Sequence, residues 1–223
     1  MTYTDDKKYR FFINALLGLW LASATIASAS GAFRAGARDS YAPLSLGLAV
    51  LAPILAFLAY FAASSRFRDF VFALNVRTLT IVQSWRLGGF VFLVLYAHGI
   101  LPGVFALPAG WGDMFIGATA ALAANHFTRE NGRKKLFIAW QLLGVLDLLV
   151  AVTLGVLTSR APIGILAHGI SSDAMTTLPL SLIPTFAVPL LLIFHLISIA
   201  QASRWPATPM KEAGHNSLQA SAA

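Results

Sequence analysis

"WQLLGVLDLLVAV", Trp140 to Val152, decides what kind of protein this is. Leucine, valine and alanine fill it, as in the middle of a membrane-spanning helix, yet Asp147 sits where lipid tails should lie. A charge at the centre of a spanning helix costs about 2.5–3.5 kcal/mol on insertion scales, so this carboxylate needs an answering group.

The composition agrees with a bilayer as solvent. Of 223 residues, 57% are hydrophobic and 11% charged, and the mean hydropathy is +0.73. A soluble domain of this length needs far more charged surface. The net charge of +7 brings nucleic acid to mind. No basic residues interleave with aromatics on a polar segment, so nucleic acid is not expected; anionic lipid and membrane topology explain the charge better. The absence of cysteine excludes disulfides, thiolate zinc sites, cysteine-ligated clusters and cysteine nucleophiles.

A spanning helix needs about 20 mostly apolar residues. Six segments qualify: Phe11–Gly31, Pro43–Ala63, Leu79–Leu101, Leu107–Phe127, Leu136–Thr158 and Leu178–Gln201. The expected fold is therefore all-α, a polytopic transmembrane bundle over residues 1–205 with a disordered tail at 206–223. The first segment has a signal-peptide alternative, since Lys7, Lys8 and Arg10 precede it and Ala27-Ser28-Ala29 resembles a cleavage site. Its apolar stretch exceeds the usual core of about 7–15 residues, which favours an uncleaved helix.

The basic residues set the orientation. With the N-terminus inside, cytoplasmic segments hold Arg66, Arg68, Arg77, Arg129, Arg133, Lys134, Lys135, Arg204 and Lys211 besides the N-terminal cluster. The outer loops hold Arg34, Arg38 and Arg160. This bias predicts that both termini are cytoplasmic, as an even number of spans requires. "ILPGVFA" and "TRENGRKK", the second with Asn131-Gly132 as a turn signal, make the third, fourth and fifth helices antiparallel neighbours. Ser159 to Thr177 reads as an outer lid or re-entrant piece, and Arg66 to Thr78 as a segment along the cytoplasmic interface with its phenylalanines in lipid.

Several polar residues fall inside the spans. A rise of 1.5 Å per residue puts Arg86 about 10 Å from the cytoplasmic boundary, Gln141 about 8 Å, His195 about 9 Å and Asp147 about 16 Å, near the midplane. Asp113 stands apart, about 9 Å below the outer boundary. Arg86 either snorkels inward or reaches across to Asp147, with Gln83 one turn earlier on the same face to add a hydrogen bond. Gly144, Asp147, Ala151 and Gly155 form a small-residue face on the fifth helix; Asp113, Gly117, Ala120, Ala121 and Ala124 form one on the fourth. Such faces suit close helix packing, and they also leave room for a ligand. Pro184 and Pro189 each remove a backbone hydrogen bond from the sixth helix, freeing carbonyls that either line a cavity with His195 or simply accompany a bend.

Other chemistry is weakly supported. Transmembrane haem wants two facing histidines at matched depth, and His126 with His195 is the one passable pair. No two histidines sit three or four residues apart as a helical zinc site requires, so neither metal nor cofactor is expected. No phosphate loop or aspartate-rich diphosphate motif occurs. Trp111, Trp140, Trp205 and Tyr41 lie near boundaries, as aromatic belt residues do.

Three stretches carry a resemblance: "VQSWRLGGFVFLVLYAHGILPGVFALPAGWGDMFIG" from Val82, "WQLLGVLDLLVAVTLGVLTS" from Trp140, and "LPLSLIPTFAVPLLLIFHLISI" from Leu178. Together they resemble a widespread family of uncharacterised bacterial multi-pass membrane proteins, from the third helix through the sixth. The resemblance marks Gln83, Arg86, Pro108, Gly110, Gly112, Asp113, Trp140, Asp147, Pro184, Pro189 and His195. The first two helices contribute nothing to it, and it supplies no activity.

Three functions remain open. A small-solute or proton-coupled carrier would use Arg86, Asp147 and His195 along a path, and a dimer would help a chain this small. A membrane-embedded enzyme acting on a lipid or isoprenoid would draw acid–base groups from Asp113 or from Asp147 and His195. A structural subunit would use the same residues to lock helix packing. Membrane lipids are the expected partners, and the inner membrane of a bacterium the expected location.

Overall fold

The computed structural model describes residues 3–34, 44–128 and 133–205, with the backbone alone for 3–8. Pro43, Tyr41, Arg38, Arg129, the Asn131-Gly132 turn, Lys211, the tail from 206 and the side chains of Lys7 and Lys8 lie outside the described residues. All regular structure among the described residues is helical: α1 (Tyr3–Ala29), α2 (Leu44–Ala63), α3 (Ser65–Ala73), α4 (Val76–Val82), α5 (Phe90–Ala97), α6 (Gly103–His126), α7 (Lys134–Leu157) and α8 (Val188–Ser203). Two irregular helices complete long crossings. A 3₁₀ segment, Gln83–Gly89, joins α4 to α5, and a π-helical turn, Ile183–Ala187, leads into α8.

Five of these crossings are long and apolar enough to span a membrane: Tyr9–Ala29, Leu44–Ala63, Val76–Ala97, Lys134–Leu157 and Ile183–Ser203. The sixth expected span, now α6, is a helix of 24 residues but falls outside that set. Its glycines, Pro108, Trp111 and Asp113 lower its hydropathy, and α4, the 3₁₀ segment, α5 and α7 pack against it.

Local chemistry sets the boundaries. Ser64 accepts from the Phe67 amide at the start of α3, and Asn75 accepts from Arg77 and Thr78 at the start of α4, as N-caps do. Gly99 follows α5 at φ 67°, with its amide bonded to the Tyr96 carbonyl and the Ile100 amide to Leu95. That is a Schellman ending, which turns the chain into α6.

Two of the three phenylalanines of α3 turn inward. Phe67 and Phe70 are buried in a cluster with Val71, Leu79, Ile193 and Ile197, against Tyr9, Phe57 and Phe61. The expectation that these rings lie in lipid does not hold for Phe67 and Phe70, because α3 packs against α2 and α8. At this end of the bundle the Lys134 ammonium donates to the Ser203 and Trp205 carbonyls, Gln201 to those of Val71 and Leu74, and Arg77 to Asn125. Arg204 lies over the Phe72 ring, 3.4 Å from its centroid.

The opposite end is closed by residues 159–177. Ser172 bonds back to the Gly155 and Thr158 carbonyls, satisfying the last turn of α7, and Asp173 pairs with Arg160. The segment is a run of turns with one short 3₁₀ helix, Ser172–Thr176, and no re-entrant helix.

The proline carbonyls of the last crossing find partners within the protein. Pro184 cannot bond the Leu180 carbonyl, which accepts from the Ile183 amide instead. Pro189 cannot bond that of Thr185, which takes the Trp20 indole N–H at 3.1 Å. The carbonyls expected to line a cavity are therefore occupied.

Candidate functional site

The geometry centres on Arg86, carried by the 3₁₀ segment and fully buried. Its Nε donates to Asp113 Oδ1 on α6 at 2.7 Å, and its Nη2 to Asp147 Oδ2 on α7. Nη1 faces two acceptors, the Gly144 carbonyl at 3.2 Å and His195 Nε2 on α8 at 3.1 Å. One guanidinium fork thus ties together four helical segments: its own, α6, α7 and α8. Arginine suits this role because its donors are fixed in a plane and it stays charged when desolvated.

The pairing with Asp147 answers the question that its sequence position raises. Asp113, by contrast, does not stand apart. α6 begins at Gly103 rather than Leu107, so Asp113 is ten residues into it, while Asp147 is ten residues from the end of α7. Both carboxylates therefore lie about 15 Å from the same end of the bundle, level with one another.

Glycines make room for the cluster. A Cβ on Gly112 would collide with Asp147 Oδ1, and one on Gly144 with the His195 ring. Gly117 lets α6 approach the backbone of Arg86 and Leu87, where a Cβ would meet Leu87 N at 2.5 Å. The small-residue faces are thus seats for polar groups as much as helix contacts. Ala120 and Ala124 are buried as expected, but Ala121 points outward.

Below Arg86 the network continues. His195 Nδ1 lies 2.5 Å from Gln141 Oε1, and Gln141 Nε2 donates to Thr80 Oγ1 at 3.4 Å. Gln83 bonds the Leu191 carbonyl rather than Arg86 or an acid, and its Oε1 is buried without a partner. Trp140 is buried inside the bundle, not at a belt position: its indole N–H donates to Thr119, and its ring lies 5.9 Å from that of His195. Thr80 went unrecognised in the sequence because a threonine one turn inside a helix carries no distinctive signal.

The haem pair is not assembled. His126 is exposed, and both ring nitrogens of His195 already have partners. Among the described residues no group of three histidine or carboxylate side chains is arranged to hold a metal.

The fold and this cluster define a membrane-embedded helical protein built round a buried arginine and two carboxylates. The chain belongs to a family of unknown function, DUF8737, whose model matches residues 41–202. The match takes in α2, which the sequence resemblance left out. No curated protein and no solved structure matches the chain.

Proposed function

We propose that the protein crosses the bacterial inner membrane six times, α6 included, with both termini cytoplasmic, and that it is a proton-coupled carrier of a small solute. The charge balance of the buried cluster carries this reading. Arg86 has no exposed side-chain surface, whereas its two partners retain some, 17% for Asp113 and 13% for Asp147. One guanidinium neutralises one carboxylate, and the second favours a proton or cationic group at the same place. The interrupted helices flanking the cluster support the reading, since carrier sites commonly form where helices are discontinuous.

In this cycle Asp147 takes up a proton, which loosens its hold on Arg86 and lets the 3₁₀ and π segments shift. Purified protein in proteoliposomes, tested against a panel of small cationic and neutral solutes, should show solute-dependent proton uptake that Asp147→Asn abolishes. Equal uptake in the variant would end the proposal. The cysteine-free chain also makes topology accessible: single cysteines at Ile100 and Asn125, near the two ends of α6, should react with an impermeant maleimide from opposite sides.

One observation favours a structural role as second reading. Arg86 already has four acceptors, the geometry of a helix lock. In that case replacing Arg86, Asp113 and Asp147 together by leucine leaves a folded protein and an undiminished physiological role, while Arg86→Leu alone unfolds it.

A further inference from the structure

We propose that Gln141 and Thr80 are positioning residues that hold His195 as the neutral Nδ1–H tautomer, so that its Nε2 lone pair orients the Arg86 fork between Asp113 and Asp147. The proposal rests on the reading of that cluster as the working site.

Hydrogen-bond polarity supports this from both ends of one chain of contacts. At the upper end, Arg86 Nη1 lies 3.1 Å from His195 Nε2. A guanidinium has donors and no acceptor, so Nε2 must accept and carries no proton. The imidazole proton is then on Nδ1, where it donates to Gln141 Oε1. At the lower end, the Thr80 hydroxyl donates to the Val76 carbonyl at 2.8 Å. With its proton so engaged, Oγ1 offers Gln141 a lone pair, and the amide must present Nε2 to it. A flipped amide would set two acceptors together at Thr80. It would also turn His195 over, bringing two N–H groups together at Arg86.

The surroundings agree with this assignment. Around His195 stand Arg86 from the 3₁₀ segment and Trp140, Gln141 and Gly144 from α7; around Arg86 stand Asp113 from α6 and Asp147 from α7. With His195 neutral, Arg86 is the one cation in this set. The two remaining directions of its fork, Nε and Nη2, are aimed at the two acids.

The test uses the full chain in lipid nanodiscs with ¹⁵N-labelled histidine. Replacing His98, His126, His168 and His215, none of which belongs to the cluster, leaves His195 as the labelled imidazole. Its spectrum at neutral pH should show a protonated Nδ1 and an unprotonated Nε2. Gln141→Met strands the Nδ1–H without an acceptor and lets the ring turn away from Arg86, so this variant and Thr80→Val should convert that single form into a mixture of tautomers, whereas Thr80→Ser should keep it. An Nε2–H or doubly protonated ring in the otherwise unaltered protein overturns the assignment without any variant having to fold. A tautomer unmoved by Gln141→Met overturns the positioning role. Proton uptake is measured separately: a Nδ1–H ring in a protein that moves no protons removes the carrier and leaves this inference standing.

Discussion

α2 and α6 differ in a way that inverts the usual rule for cores. α2 is among the most apolar segments, yet Leu44, Leu48, Leu51 and Leu55 are all more than half exposed, and Val50 is its one buried residue. α6 is too poor in large apolar side chains to rank as a span, yet Ala106, Ala120 and Ala124 have no exposed surface and Ile116 almost none. Lipid is as apolar as leucine, so burying leucine gains little; close packing and hydrogen bonding decide what goes inside. α6 is central because its small residues let the 3₁₀ segment and Asp147 approach.

The largest effect should come from removing the cation at the centre of that packing. Arg86→Leu leaves Asp113 and Asp147 without a counter-charge in the bundle interior, and breaking a buried pair in this way costs about 3–5 kcal/mol. Unfolding in mixed detergent micelles should show a loss of that size. Arg86→Lys should recover part of it, because a point charge cannot span two acids and a histidine. A wild-type midpoint for Arg86→Leu would mean that the cluster contributes nothing to stability.

The membrane-embedded class is legible in the sequence from apolar length, and depth and charge along a regular helix name Asp147 as a partner for Arg86, but they leave inward snorkelling of Arg86 equally open. Asp113 was misjudged by depth alone: starting α6 four residues late moved it about 6 Å toward the outer surface. Trp140 was misjudged by azimuth, since a tryptophan near a helix end reads as a belt residue whichever way it faces. The 3₁₀ segment "QSWRLGG" carries one local signal, the helix-weakening pair Gly88-Gly89, which marks a soft point in the crossing but not the kind of helix that forms there. The prolines announced a break in the last crossing but not that Trp20, far away in sequence, would take the carbonyl.

Intermediate effects belong to the seats around the cluster. Gly144→Ala drives a methyl group into the His195 ring, and overpacking of this kind costs about 1–3 kcal/mol. Gly155 faces Phe105 at 3.5 Å, an ordinary contact, so Gly155→Ala should be nearly neutral in the same unfolding assay. Equal losses at the two positions would break the distinction between a polar seat and a plain helix contact. Trp20→Phe should fall in the same range, because it strands the buried Thr185 carbonyl that Pro189 leaves free; an unsatisfied group costs about 1–3 kcal/mol.

The smallest effect should lie on α2. Leu51→Ala removes a side chain that is 55% exposed and has lipid rather than protein beside it. Truncating a buried leucine in a soluble core typically costs about 2–5 kcal/mol. Here no protein cavity forms, because lipid chains fill the gap, and the transfer term is nearly the same before and after unfolding within a micelle. The change should stay within about 0.5 kcal/mol, as for substitutions away from packed features. Val50→Ala, one residue earlier but facing the bundle, should cost more. A greater loss at Leu51 would mean that this face meets protein, and a self-associated dimer would be its natural source, detectable as a change in sedimentation of the detergent-solubilised chain.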